Sequence, residues 1–175
     1  MGLFMREIAK SANFAGTEVD FDLSTPLGGV LKRGFDITGA LCALILFSPL
    51  LLLLAALVKF SDGGSVFYGH ARIGRGGRRF RCLKFRTMRQ DADAVLQAYL
   101  SENPEARAEW EATRKLKNAP RVTPVGAVLR KLSLDELPQF LNILAGEMSI
   151  VGPRPVVQEE LERYGSAAVF YLKSR

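Results

Sequence analysis

The run ITGALCALILFSPLLLLLAALV, from Ile37 to Val58, contains no charged residue. At about 22 residues it has the length of a bilayer-spanning helix. Of its side chains 13 are Leu, Ile, Phe or Val, which favours insertion by about 4–8 kcal/mol before polar costs. It starts too late and runs too long for the apolar part of a cleavable signal peptide, and no clear small-x-small cleavage site follows it. The competing reading is a fully buried helix of a soluble core.

Ser48-Pro49 interrupts the run near its middle. A proline there removes one helical hydrogen bond and presses on the carbonyl of Ile45, an effect of about 3 kcal/mol in an ordinary helix, so the segment bends. Both flanks are basic, with Lys32 and Arg33 before the run and Lys59, Arg72 and Arg75 after it. The cytoplasmic preference of cations therefore does not place the two ends on opposite faces. A re-entrant helix over residues 30–60, broken at Ser48 and Pro49, satisfies both signals. A straight or kinked span stays open as well, because spanning helices tolerate proline.

At 175 residues and a net charge of +6, the chain suits one domain and an acidic partner: an anionic membrane surface, a nucleotide-linked substrate or nucleic acid. Cys42 in the apolar run and Cys82 in an expected strand make no disulfide framework, which fits a reducing compartment. The single histidine, His70, has neither zinc-ligand nor nucleophile-elbow spacing around it. Any catalysis falls to carboxylates and cations.

Along the chain, residues 1–29 read as a mobile tail closed by Pro26-Leu27-Gly28-Gly29. Ser65–Ile73 and Arg79–Arg86 read as a hairpin turned by Gly74-Arg75-Gly76-Gly77, whose glycines lack P-loop spacing. Ala92, Val95, Leu96, Tyr99 and Leu100 recur at helical spacing, which predicts an amphipathic helix from Asp91 to about Ser101. A second helical stretch, Pro104–Leu116, carries Trp110, suited either to the headgroup level or to the core. The expected fold is α+β and mainly helical: a small membrane-associated domain with one re-entrant N-terminal membrane helix and a short β-hairpin, residues 61–175 being cytoplasmic.

Ser133-Leu134-Asp135-Glu136-Leu137-Pro138-Gln139 sets two adjacent carboxylates near a helix start. Proline is tolerated in the first helical turn, so the helix is expected to begin between Ser133 and Leu137, with Asp135 and Glu136 at its positive end. A capping box between Ser133 and Glu136 is the structural alternative. Gly146 to Pro155 then reads as a helix end, a short apolar strand and a stiff turn holding Arg154 between two prolines, a pre-oriented fork for phosphate or carboxylate. Lys84, Arg86 and Arg130 add cations, for which a solvated basic face is the plain alternative.

Lys84-Phe85-Arg86-Thr87-Met88, Arg130 through Gln139, Asn142, and Met148-Ser149 to Gly152-Pro153-Arg154-Pro155 resemble, in this order, the bacterial sugar transferase family, the monotopic polyprenyl-phosphate phosphoglycosyl transferases. The resemblance runs from about Leu31 to Tyr164. Tyr68 to Gly74 and Arg78 to Lys84 look most like the exopolysaccharide-initiating members that load galactose phosphate onto undecaprenyl phosphate.

The resemblance implies an enzyme that transfers a sugar-1-phosphate from a UDP-sugar to undecaprenyl phosphate through a phosphosugar ester on Asp135. It implies Mg²⁺ held by Asp135 and the diphosphate, Glu136 in support, and Lys84, Arg86, Arg130 and Arg154 at the phosphates. It matches the Ser48-Pro49 break to the family's re-entrant helix. It places the protein in the bacterial inner membrane, in contact with its lipid, with the catalytic domain on the cytoplasmic face. Oligomeric state stays open, and no nucleic-acid-binding signature appears. Family members continue past a Tyr164-like position into a segment with a further active-site arginine. On that comparison the chain is expected to be C-terminally truncated, and a membrane-bound, noncatalytic interaction module is the second reading.

Overall fold

The computed structural model describes residues 13–14, 17–18, 28–113, 116 and 119–174. The expected N-terminal tail lies almost wholly outside them, apart from an antiparallel pair of two-residue strands, β1 (Asn13–Phe14) and β2 (Thr17–Glu18). The chain divides into two compact units, one holding the residues up to Phe47, Gly69–Leu83 and those from Pro138 onward, the other holding Ser48–Tyr68 and Lys84–Leu137. Among the described residues helices dominate, and the longer strand pair is a hairpin of β3 (Phe67–Ile73) and β4 (Arg79–Phe85). Its turn falls where the glycines predict, with Gly76 and Gly77 at φ 61° and 75°.

The apolar run forms two helices, α1 (Gly29–Leu46) and α2 (Ser48–Asp62). Among the described residues no single helix is long and apolar enough to cross a membrane. The pair passes that test together, bent by 65° at its break. Pro49 explains the break: as the second residue of α2 it occupies a position whose N–H has no helical partner to lose. Phe47 closes α1, its N–H donating to Ala43 O at 2.9 Å.

In the first unit α1 packs on α6 (Gln139–Ala145), a short helix ended by Gly146 at φ 80°. Arg33 donates to the carbonyls of Ile143 at 2.6 Å and Leu144 at 2.8 Å, completing the C-terminal end of α6. Asn142 fastens the hairpin to the same helix. Its Oδ1 accepts from Leu83 N at 2.9 Å, and its Nδ2 donates to Arg81 O at 2.8 Å and Glu147 Oε2 at 2.6 Å. The core is completed by α7 (Gln158–Arg163) and α8 (Ala168–Lys173), where Ile73, Val156, Leu161, Ala168 and Leu172 are buried. Tyr171 ties it: its hydroxyl donates to Ile73 O at 2.6 Å and accepts from Val156 N at 3.1 Å.

In the second unit α2 buries Leu54 and Val58, one helical turn apart, against Phe85 and Leu129. It also holds α3 (Ala92–Glu102) with Leu96 and Leu100 inward, α4 (Pro104–Thr113), and α5 (Pro124–Lys131). The amphipathic helix from Asp91 is thus present, with Asp91 at its N-cap. Trp110 is half-buried with the Arg121 guanidinium 4.8 Å above its ring.

Two local expectations are corrected. The helix does not begin between Ser133 and Leu137: Leu134–Glu136 is a single 3-10 turn, and α6 starts at Gln139 with Pro138 as its N-cap. Ser133 sits at φ 56° and makes no side-chain cap bond, so the capping box is absent too. Nor does the segment after Gly146 form a strand. Ile150 N donates to Asp36 Oδ1 at 3.0 Å instead of to a sheet, and pairing is confined to one bridge between Val156 and Ile73.

Candidate active site

Lys84, Thr87, Arg130, Asp135 and Glu136 all belong to the second unit, where α5 organises them. Thr123 caps that helix, its Oγ1 accepting from Gly126 N at 2.9 Å, with Pro124 in the first turn. The residues ahead of the helix pair with the chain beyond β4: Thr123 N donates to Thr87 O at 3.0 Å and Arg89 N to Arg121 O at 2.9 Å. Gly126 lies so close to the Thr87 backbone that any Cβ would collide with the Thr87 carbonyl. This approach brings Arg130, one further turn along α5, to Thr87, and its Nε donates to Thr87 Oγ1 at 2.8 Å.

Asp135 follows on the 3-10 turn. It is only 9% exposed, and burial raises its carboxyl above the ordinary range, with the neighbouring Glu136 acting in the same direction. Lys84 opposes the rise from 3.8 Å, and Arg130 opposes it more weakly. Burial lowers the Arg130 guanidinium below its usual value, while Asp135 partly restores it. Lys84 also meets Glu136, Nζ to Oε1, at 2.5 Å. The result is a desolvated carboxylate with an ammonium beside it and a guanidinium in its field, an arrangement suited to receiving a phosphate whose charge must be neutralised.

The other sequence candidates stand apart from this group in what they touch. Arg86 is held by Asp62 and donates to Ser65 Oγ at 3.4 Å, so its observed contacts tie the chain after β4 to the end of α2. Arg154 belongs to the first unit, exposed between Pro153 and Pro155. Ser48 and Pro49 mark the start of α2.

Sequence reasoning assigned no role to Thr87, the anchor of Arg130, nor to Arg121, whose buried Nε has no hydrogen-bond partner among the described residues. The signal for this part was Thr123-Pro124, an N-cap residue followed by proline in the first helical position. In the first unit it likewise passed over Asp36. That residue is fully buried, accepting from Ser149 Oγ at 2.8 Å and Lys32 Nζ at 3.3 Å.

Among the described residues no three His, Cys, Asp or Glu side chains are placed to hold a metal ion. Asp135 and Glu136 supply two oxygen donors. That matches how Mg²⁺ is often held, by one or two carboxylates together with substrate phosphates and water, rather than by a cage of protein ligands.

A model of the bacterial sugar transferase family matches residues 27–175. The exopolysaccharide production protein ExoY of Rhizobium meliloti is 69% identical over 150 residues, covering 86% of this chain and 66% of that protein. The undecaprenyl-phosphate galactose phosphotransferase of Salmonella typhimurium is 52% identical over 145 residues, covering 83% of this chain and 30% of that protein. The UDP-glucose:undecaprenyl-phosphate glucose-1-phosphate transferase of Escherichia coli is 43% identical over 151 residues, covering 85% of this chain and 29% of that protein. The chain thus spans just under two thirds of the first relative and under a third of the other two.

Proposed function

The chain belongs to the bacterial sugar transferase family, and on that premise we propose that it transfers a sugar-1-phosphate from a UDP-sugar to undecaprenyl phosphate, the opening step of exopolysaccharide synthesis. The observation that carries this reading is the buried Asp135 carboxylate with Lys84 at 3.8 Å.

In the first half-reaction an Asp135 carboxylate oxygen attacks the phosphorus that bears the sugar. The bond from that phosphorus to the bridging oxygen breaks, and UMP departs with the electron pair. Asp135 then carries the phosphosugar as an acyl phosphate. In the second, an oxygen of undecaprenyl phosphate attacks the same phosphorus, the bond to Asp135 breaks, and the free carboxylate returns with a lipid diphosphate sugar as product.

Repulsion between carboxylate and phosphate opposes the first step, and Lys84 and Arg130 reduce it. Burial supports Asp135 as nucleophile, because a carboxylate whose charge is poorly solvated is more basic. Glu136 holds the Lys84 ammonium at 2.5 Å. Mg²⁺, held by Asp135 and Glu136 together with the diphosphate, would add charge neutralisation at the leaving group. The family resemblance also assigns Arg86 and Arg154 to the phosphates, and they are the remaining candidates for that role. The broken helix pair would seat the protein in the inner membrane with both flanks cytoplasmic. Galactose is the sugar assigned first, because the relative named for it is more similar to this chain than the one named for glucose.

Incubating the purified protein with a panel of UDP-sugars and weighing it by mass spectrometry tests this reading. A hexose-phosphate gain on the peptide containing Asp135, absent from Asp135→Asn, is expected. No gain with any sugar would retire the covalent route.

A further inference from the structure

The hairpin carries a concentration of arginine that the proposed chemistry does not use. Residues 72–81 contain Arg72, Arg75, Arg78, Arg79 and Arg81 and no acid. Arg72 is paired with Glu160 at 3.6 Å. Arg78, Arg79 and Arg81 are exposed, and among the described residues no carboxylate forms an ion pair with any of them. The strand alternation of β4 sets Arg79 and Arg81 on its outer face while Phe80 and Cys82 turn inward. The Arg81 stem lies across Gly69, where a Cβ would come within 3.1 Å of the Arg81 Cβ.

The apolar surface of α1 supplies the second observation. Ile37, Leu41 and Ile45, spaced four residues apart, are 40%, 50% and 66% exposed, and Leu46 beside them is 73% exposed. A row of this kind marks a contact with a membrane or with another protein, and the long apolar helix pair it belongs to favours the membrane. Two hydrogen-bonded links attach the hairpin to the polar end of the same helix. Arg33, just before the apolar row, holds the carbonyls of Ile143 and Leu144, and Asn142 on that short helix holds the backbone of Arg81 and Leu83. With the row from Ile37 to Leu46 in the acyl layer, these links tie the hairpin to the end of α1 that leaves it, on the headgroup side.

We propose that Arg78, Arg79 and Arg81 form a docking surface for the headgroups of anionic phospholipids. This rests on the membrane-embedded reading of α1. Arginine suits the role because its planar fork pairs with phosphate oxygens while its stem packs along apolar surface. The surface holds the hairpin against the bilayer and so fixes the orientation of the unit built around α6.

The full chain is reconstituted in lipid nanodiscs of phosphatidylcholine alone, or of phosphatidylcholine and phosphatidylglycerol at about 3:1, and amide exchange is followed by mass spectrometry. Exchange across residues 74–81 is expected to slow about fivefold in the anionic discs, the factor that one cation's attraction to such a surface supplies. Arg78→Gln/Arg79→Gln/Arg81→Gln should abolish the difference, while peptides from α7 exchange alike in every sample. Equal exchange in both disc types, or slowing that persists in the triple variant, would overturn the proposal. So would slowing by a short oligonucleotide in neutral discs equal to that from anionic lipid, which would make the patch a nucleic-acid surface. Protein that separates from both disc types on flotation would overturn the membrane reading itself, whereas protein that floats without charge-dependent protection would sink only the lipid-docking surface.

Discussion

The Lys84 ammonium lies 3.8 Å from Asp135 Oδ2 and 2.5 Å from Glu136 Oε1, so one cation serves two adjacent carboxylates of unequal burial. The shorter contact is to the more exposed Glu136, which leaves Asp135 desolvated and only partly compensated. That imbalance distinguishes the two acids and underlies the first two predictions.

Asp135→Asn should lower turnover by about 10³-fold or more and remove any phosphosugar adduct, whereas Glu136→Gln should slow the reaction and retain the adduct. Radiolabel from the sugar phosphate on the Asp135→Asn protein would transfer the nucleophile's role to Glu136. The same variant should be more stable than the parent at neutral pH. Burial holds the Asp135 pKa above its ordinary value, so folding opposes its ionisation. The cost is absent below that ordinary value and develops as pH rises through the raised one. Thermal melting at pH 7 and near pH 3 should show the advantage of Asn at the higher pH alone.

Lys84→Met removes the chief influence that lowers the Asp135 pKa. The acid limb of the pH–rate profile should move to higher pH and the KM for the nucleotide sugar should rise, while Lys84→Arg keeps the charge and moves the limb less. A profile unchanged in Lys84→Met would show that the ammonium does not act on Asp135.

Gly126→Ala forces a methyl group onto the Thr87 carbonyl. Overpacking of this kind costs about 1–3 kcal/mol, and the displaced Thr87 should release Arg130, lowering kcat/KM beyond what the stability loss explains. Activity per folded molecule equal to the parent's would separate the Arg130–Thr87 bond from catalysis.

Asn142→Ala leaves Leu83 N and Arg81 O without their side-chain partner, at about 1–3 kcal/mol for each group left unpaired. Denaturant melts should show the loss, and exchange of the amides around Leu83 should accelerate. An unchanged midpoint would mean that water replaces the amide there.

Pro49→Ala restores the missing N–H at the helix break, so α1 and α2 should straighten toward one continuous span. Tags placed before Lys32 and after Lys59 should both report from the cytoplasm in the parent and from opposite sides in the variant. A periplasmic tag at either end of the parent would exclude the re-entrant arrangement.

Much of the fold was legible because its signals are local. The charge-free run, the Ser48-Pro49 break, the glycine turn of the hairpin and the apolar spacing of α3 each depend on neighbours within a few residues, and each lies where the sequence places it. Helix α5 was passed over although Thr123-Pro124 announces it, because its eight residues were read for Arg130 alone. The start of α6 was misplaced for a different reason. Ser133 and Glu136 fit a capping box in spacing and Pro138 fits a first helical turn, but Ser133 adopts φ 56°, and its backbone conformation is not encoded in the motif.

The sequence by itself determined which residues carry charge and that Asp135 and Glu136 are neighbours in the chain. Tertiary structure alone decided that Lys84 faces both acids, that Arg130 leans on Thr87 while Arg86 is held by Asp62, and that Asn142 and Asp36 bind backbone groups distant in the chain. Charge and hydropathy belong to a residue. Burial and the distance to a partner arise only when segments tens of residues apart pack together, and those two quantities set how basic a carboxylate is.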